Sequence, residues 1–258
     1  HLSIRRQRQM CIRDRWFFAA GHPELDVTHS YDAVANTLTL DIIQKHKPTQ
    51  EIPAIFVLPM TVDLYDANGV LSTYSVTVNN RNQSLVLEDV VFTPSAVVMD
   101  GNASTLMVID HTKTEAEVAA QAKYATKFLH VYSAVNKLKE DASFAMLQEK
   151  MLAYPHYSIR AKAIKEMDVT KVGASDILMK LATNDKHSKV RAAALNALAN
   201  VEGTDLNSLV SKIMKTEQAY PVLGKAVSAL YDSNPEKALE YTKICLLYTS
   251  PSPRDVEE

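Results

Sequence analysis

Seven histidines lie between residues 16 and 244: His22, His29, His46, His111, His130, His156 and His187. Imidazoles bind metals and carry protons near neutral pH, so their spacing is the first thing to weigh. No two are four residues apart, the interval that would put a zinc-binding pair on one helix face. No His-Glu-x-x-His stretch occurs, so each histidine reads as a structural residue. A strained Gly-x-Ser-x-Gly nucleophile turn and a phosphate-binding glycine loop are also missing. Asp66-Ala67-Asn68-Gly69 has the look of a calcium loop but lacks the downstream Glu, and a hairpin turn explains it. Asn82-Gln83-Ser84 and Asn102-Ala103-Ser104 fit the glycosylation acceptor pattern, a short match that turn composition also produces. Met146, Met151, Met167, Met179 and Met214 read as core filler. The expected sets of catalytic, cofactor-binding and metal-binding residues are therefore all none.

The elements that carry these residues change character near residue 112. Up to there, strand patterning prevails. Leu38, Leu40 and Ile42 share one face of Thr37–Ile43; Met60, Val62 and Leu64 alternate after Pro59. A turn at Asp66–Gly69 follows, since Asn-Gly tolerates the backbone of a tight reversal. Tyr74, Val76 and Val78, then Leu85 and Leu87, then Ala96–Met99 and Leu106–Ile109 complete seven or eight short strands. Such spacing predicts an antiparallel β-sandwich over residues 22–111.

From Thr114 the apolar period becomes helical. Thr114-Glu115-Ala116-Glu117 is a capping box. Val118, Ala122, Ala125, Leu129, Tyr132 and Val135 then form a stripe that predicts one long helix. Further helices are expected at about 143–152, 157–168, 174–183, 187–200, 205–215, 219–231 and 235–244, the last opened by Asn234-Pro235. Ser158–Ile164 aligns with Lys189–Leu195 at a spacing of 31, and Leu223–Leu230 with Arg191–Leu198 at 32. Asp185-x-x-x-x-Val190-Arg191-x-x-Ala194-Leu195-x-x-Leu198 resembles the second helix of a HEAT repeat, a family in which the Asp and Arg fix the turn and neighbouring helix ends. A helix pair cannot bury its own apolar face, so residues 112–244 are expected to stack as a HEAT-like solenoid. An irregular bundle is the alternative.

The two ends do not read as native protein. Codons for Cys245–Thr249 can be written TGT CTC TTA TAC ACA, whose reverse complement is TGT GTA TAA GAG ACA. Read one frame away with flanking A and G, that strand encodes Met10-Cys11-Ile12-Arg13-Asp14 and begins Arg15. One duplex encoding both ends in opposite orientation resembles the mosaic end of transposase adapters used for sequencing libraries. Residues 1–15 and 245–258 are therefore set aside as adapter-derived; a basic arm and a Pro/Ser-rich tail are the alternative. Both cysteines fall there, so the remainder has no disulfide, cysteine nucleophile or cysteine zinc site. Subtracting the six Arg and four acidic residues of the ends from 28 basic and 30 acidic leaves 22 and 26, a net charge near −4. No electrostatic footprint for nucleic acid survives, and no apolar run is long enough to span a bilayer.

Trp16-Phe17-Phe18-Ala19-Ala20-Gly21-His22-Pro23 resembles a junction in aminopeptidase N-type zinc metallopeptidases, where the catalytic domain ends and a β-sandwich begins. Phe56–Tyr65 resembles that family's "F.LPV.V.I" strand. The resemblance implies that residues 16–21 close a missing catalytic domain, 22–111 form the sandwich and 112–244 the helical repeats. It further implies a parent enzyme that removes N-terminal residues from peptides with one zinc ion held by two His and a Glu. None of those ligands lies in this sequence, so the segment is expected to be a non-catalytic C-terminal piece. Its expected partners are the catalytic domain in cis and the parent's peptide substrates. A scaffold related to these peptidases but without activity is the alternative.

Overall fold

A computed structural model describes residues 20–138, 141–201 and 203–247. The expected aromatic junction Trp16–Phe18, the adapter-derived head and residues 248–258 of the tail lie outside them.

Alternation of apolar and polar residues builds β1 (Glu24–Asp32), β2 (Thr37–Gln44), β3 (Leu58–Tyr65), β4 (Leu71–Val78), β5 (Asn82–Leu87), β6 (Ala96–Met99) and β7 (Val108–His111). They form a four-stranded sheet in the order β5-β2-β1-β7 and a three-stranded sheet in the order β4-β3-β6. Leu25, Val27, Leu38, Leu40, Ile42, Met60, Val62 and Leu64 are at most 5% exposed and pack together as the core between the sheets. Gln44 is buried among them and satisfies both polar groups of Phe56, donating to its carbonyl and accepting from its amide at 2.9 Å each. A buried amide side chain is tolerated there because it replaces a missing backbone ladder.

Two strand expectations need correction. The last strand forms at Val108–His111, two residues beyond Leu106–Ile109, and Leu106 is 81% exposed. A two-residue shift keeps every side chain on its face, so alternation alone cannot choose between the registers. This strand also runs parallel to β1, with Leu25 beside Ile109 and Val27 beside His111, while the other pairs are antiparallel. After β6 the chain crosses to the opposite sheet, and a crossing strand can enter in either direction.

The long helix expected from Thr114 is broken. α1 (Glu115–Tyr124) ends at Ala125, whose extended backbone (ψ 140°) turns the chain, and α2 (Phe128–Lys137) begins again after Lys127. Tertiary contacts override the stripe: Leu129 and Tyr132 are 58% and 42% exposed, whereas Val131, Ala134 and Val135 are buried. α1 instead lies on β6, with Tyr124 stacked on Tyr65 and donating its hydroxyl to the Ala67 carbonyl at 2.7 Å.

That contact fixes the Asp66–Gly69 turn. The Asp66 carboxylate accepts from the amides of Asn68 and Val70, and Gly69 has φ +84°. A Cβ on Gly69 would sit 2.3 Å from the Tyr124 ring. Gly69→Ala is thus expected to cost about 2 kcal/mol or more, from the left-handed backbone and the displaced ring together. Thermal unfolding checks this, and an unchanged midpoint would show that the turn relaxes freely.

The change from strand to helix falls at residues 111–114, but the first compact unit runs through Lys139 and the second begins at Glu140. The expected division at 111/112 follows secondary structure, whereas packing assigns α1 and α2 to the sandwich. The second unit holds α3 (Asp141–Leu152), α4 (Tyr157–Lys165), α5 (Ala174–Asn184), α6 (Ser188–Leu198), α7 (Leu206–Thr216), α8 (Tyr220–Tyr231) and α9 (Pro235–Leu247). α9 continues three residues past the expected junction at Ile244. α5 packs on α6 and α7 on α8, while α4, α6 and α8 contact one another in sequence. Val190, Ala194, Leu195, Leu198, Val210, Val222, Ala226 and Leu230 are fully buried, the alanines letting helices approach closely.

Candidate functional site

The capping box positions a cluster of titratable side chains in the sandwich unit. Glu117 Oε2 accepts from the Thr114 amide at 2.8 Å, and Thr114 Oγ1 accepts from the Glu117 amide. Its other oxygen, Oε1, lies 2.6 Å from His29 Nε2, and His29 Nδ1 lies 2.9 Å from His111 Nε2. A carboxylate, two imidazoles and a helix N-terminus thus join β1, β7 and α1 in one chain of hydrogen bonds. Burial pushes the Glu117 carboxyl up, but the bonds from Thr114 and His29 outweigh it and hold it below the usual range. Burial, reinforced by the charges of Lys113, His29 and Lys137, pushes His111 down to about 2, so its ring is neutral. Its Nδ1 is buried with no hydrogen-bond partner.

Lys113 sits beside this chain, its ammonium bonded to the Val97 carbonyl and the Gln121 side chain. Burial pushes it down to about 8, against the opposing pull of Glu117. A cavity of about 320 Å³ adjoins these groups, lined among others by Asp100, His111, Lys113, Gln121, His130 and Lys137. Its acid is already engaged, since Asp100 accepts from Ser104 and from the Thr105 amide.

These donors do not fit a zinc ion. The two imidazoles and the carboxylate are strung end to end, each spending a nitrogen or oxygen on the next, and do not converge on one point. No group of three His, Cys, Asp or Glu among the described residues has metal-binding geometry. The chain can relay polarisation from Glu117 to His111, and it ties strand β7 to the helix above it. Sequence reading treats these residues separately, because His29 and His111 are 82 positions apart and no local spacing reports their contact.

The remaining histidines serve local structure. His46 Nε2 lies 3.1 Å from the Pro53 carbonyl and its ring meets Phe56 edge-on. His130 Nε2 lies 3.0 Å from the Asp100 carbonyl. His22 is half exposed, 3.7 Å from Glu24. His156 and His187 are N-caps of α4 and α6, each accepting from the amide two residues on. The Asp66 turn is a hairpin loop, its carboxylate consumed by backbone amides. The methionine expectation holds for Met151, which is buried, but Met146 is 76% exposed.

The repeat motif of the helical unit is where sequence and structure meet most closely. Arg160 forms two bonds of 2.8 Å to Asp185 and donates to the carbonyls of Tyr154 and Pro155. Arg191, 31 residues on, forms two bonds to Glu217 and donates to the Asp185 carbonyl. Each arginine therefore joins its own helix to the end of the next helix in the array. The carboxylate of Asp185 and that of Glu217 are both held below the usual range, against burial in the first case and chiefly by the Arg191 bonds in the second. Leu223 stands at the corresponding position of α8, so the ladder has no third arginine there.

Residues 21–111 match a protein-family model. Its description is a domain of unknown function (DUF3458) with an Ig-like fold. Among solved structures, aminopeptidase A of Legionella pneumophila, determined in complex with aspartic acid, shares the fold with a TM-score of 0.63 at 14% identity. The likeness covers 93% of this chain and 35% of that enzyme's, so the chain spans about a third of that protein's length. No curated protein matches in sequence. The match extends over both units and supports the order of sandwich followed by helices. No helix among the described residues is long and apolar enough to cross a membrane.

Proposed function

We propose that this chain is the non-catalytic C-terminal part of a zinc-dependent aminopeptidase. In that reading the sandwich supports the catalytic domain, and HEAT-like helical repeats restrict access of peptides. The observation that carries the reading is the likeness to an aminopeptidase over 93% of this chain and only 35% of the other, joined to the Ig-like family match. The zinc of the parent would be held by residues outside this sequence, because His29, His111 and Glu117 are bonded end to end. The same reading treats residues 1–15 and 245–258 as adapter-derived. A scaffold without activity is the competing interpretation.

Recovering the uninterrupted reading frame from the source DNA decides between them. The expected result is native codons in place of both ends and an upstream His-Glu-x-x-His with a second Glu on a following helix. A complete gene lacking that motif would leave the scaffold. Purified residues 16–244 should hydrolyse no aminoacyl substrate with or without zinc, and zinc-stimulated turnover would refute the division of labour. In the parent enzyme, removing residues 140–244 should alter the preference for peptide length; unchanged size selectivity would count against a gating role.

A further inference from the structure

We infer that the face made by the second helices of the repeats is a docking groove for an acidic, extended peptide segment of a partner protein. α4, α6 and α8 lie side by side and enclose a groove of about 850 Å³. Its floor is aliphatic, built from Ala161, Met167, Val169, Ala193 and Ala197. Lys165, Lys189 and Lys225 line it, one from each helix, and all three are exposed.

Charge complementarity selects the occupant. No acidic residue lines the groove, and none of the three lysines is in an ion pair among the described residues. The nearest acids in sequence are spent elsewhere: Glu166 pairs with Lys162, and Asp168 accepts from Thr170. Lys189 lies over the Tyr157 ring and Lys225 reaches the Asn196 amide oxygen at 3.4 Å, contacts that leave their charge uncompensated. Elsewhere in this unit the two arginines are neutralised by Asp185 and Glu217.

An extended peptide suits the lining. Its side chains alternate, so acids every second residue would meet the lysines while small apolar residues settle on the alanine floor. The amides of Asn196 and Asn200 at the rim can pair with its backbone. Single-stranded nucleic acid suits it less, because the lining has no aromatic ring for base stacking and no arginine. Binding alone is the readout.

The test uses the full chain and a fluorescein-labelled peptide of alternating Glu and Leu, roughly eight residues long to cross the three helices. Fluorescence anisotropy should show saturable binding that weakens as NaCl rises. Lys165→Glu, Lys189→Glu and Lys225→Glu should each weaken it by about threefold or more, as exposed charge contacts do, and the triple variant should abolish it. Lys212→Glu, a charge reversal on α7 outside the groove, should leave it unchanged. Circular dichroism verifies folding, and Lys→Gln substitutions at the same positions replace any reversal that unfolds. No saturable binding, equal loss in Lys212→Glu, or tighter binding of labelled oligothymidylate would each overturn the inference.

Discussion

Arg160→Ala should destabilise the helical unit by about 3–5 kcal/mol, the usual cost of removing one partner of a buried pair and leaving the other charge unpaired. Both side chains of the Arg160–Asp185 pair are under a tenth exposed, at 6% and 7%. Four hydrogen bonds leave the guanidinium at 2.7–2.8 Å, two to the carboxylate and two to the Tyr154 and Pro155 carbonyls in the turn after α3. Truncation therefore leaves a buried carboxylate with only the His187 amide and strips the donor from two carbonyls. Arg191→Ala should cost less, because its pair with Glu217 is more exposed, at 17% and 13%. Urea unfolding of each variant measures the difference. Equal midpoints for wild type and Arg160→Ala would show that the pair contributes nothing net.

Acidification should weaken the sandwich unit through His111. In the folded chain burial holds this ring neutral down to about pH 2, while its ordinary value is 6.5. Below 6.5 the unfolded state binds a proton that the folded state refuses, so stability is fully present above 6.5 and falls as the pH drops towards 2. From pH 6.5 to 4.5 the expected loss is roughly 2–3 kcal/mol, about one proton over two pH units. That window lies above the ordinary value of Glu117, which is 4.5. Lys113 acts at the other limit: its folded value of about 8 lies below 10.5, so stability rises as pH increases between them. Urea midpoints at pH 6.5 and 4.5 for wild type and His111→Gln provide the measurement. An acid slope equally steep in the variant would assign the effect to other groups.

Much of the fold was readable without coordinates, because a local period reports which face is buried. Leu38, Leu40 and Ile42 alternate and are buried; Thr114 and Glu117 stand three apart and form both bonds of a capping box. Asn234 caps α9 as its position before Pro235 suggests, bonding the Lys237 amide. The repeat of Arg160 at Arg191 showed that two helices occupy equivalent places. It did not show their acidic partners, since Asp185 belongs with the arginine of the preceding second helix and not with the Arg191 of its own motif.

The stripe from Val118 to Val135 failed for a reason of the same kind. Helical period is a property of one segment, and it continues through Ala125 without interruption. Whether the chain turns there depends on β6, on the Tyr65 ring and on the Ala67 carbonyl, all distant in sequence.

Residue order by itself thus determined the strand-rich and helix-rich halves, the caps, the turn at Gly69 and the repeat interval, since each rests on neighbours within a few positions. Only the tertiary structure decided the parallel entry of β7, the break between α1 and α2, the junction of His29, His111 and Glu117, and the gathering of three lysines on one groove. Those features depend on free energies shared between residues tens of positions apart, where burial and charge are properties of the packed surroundings.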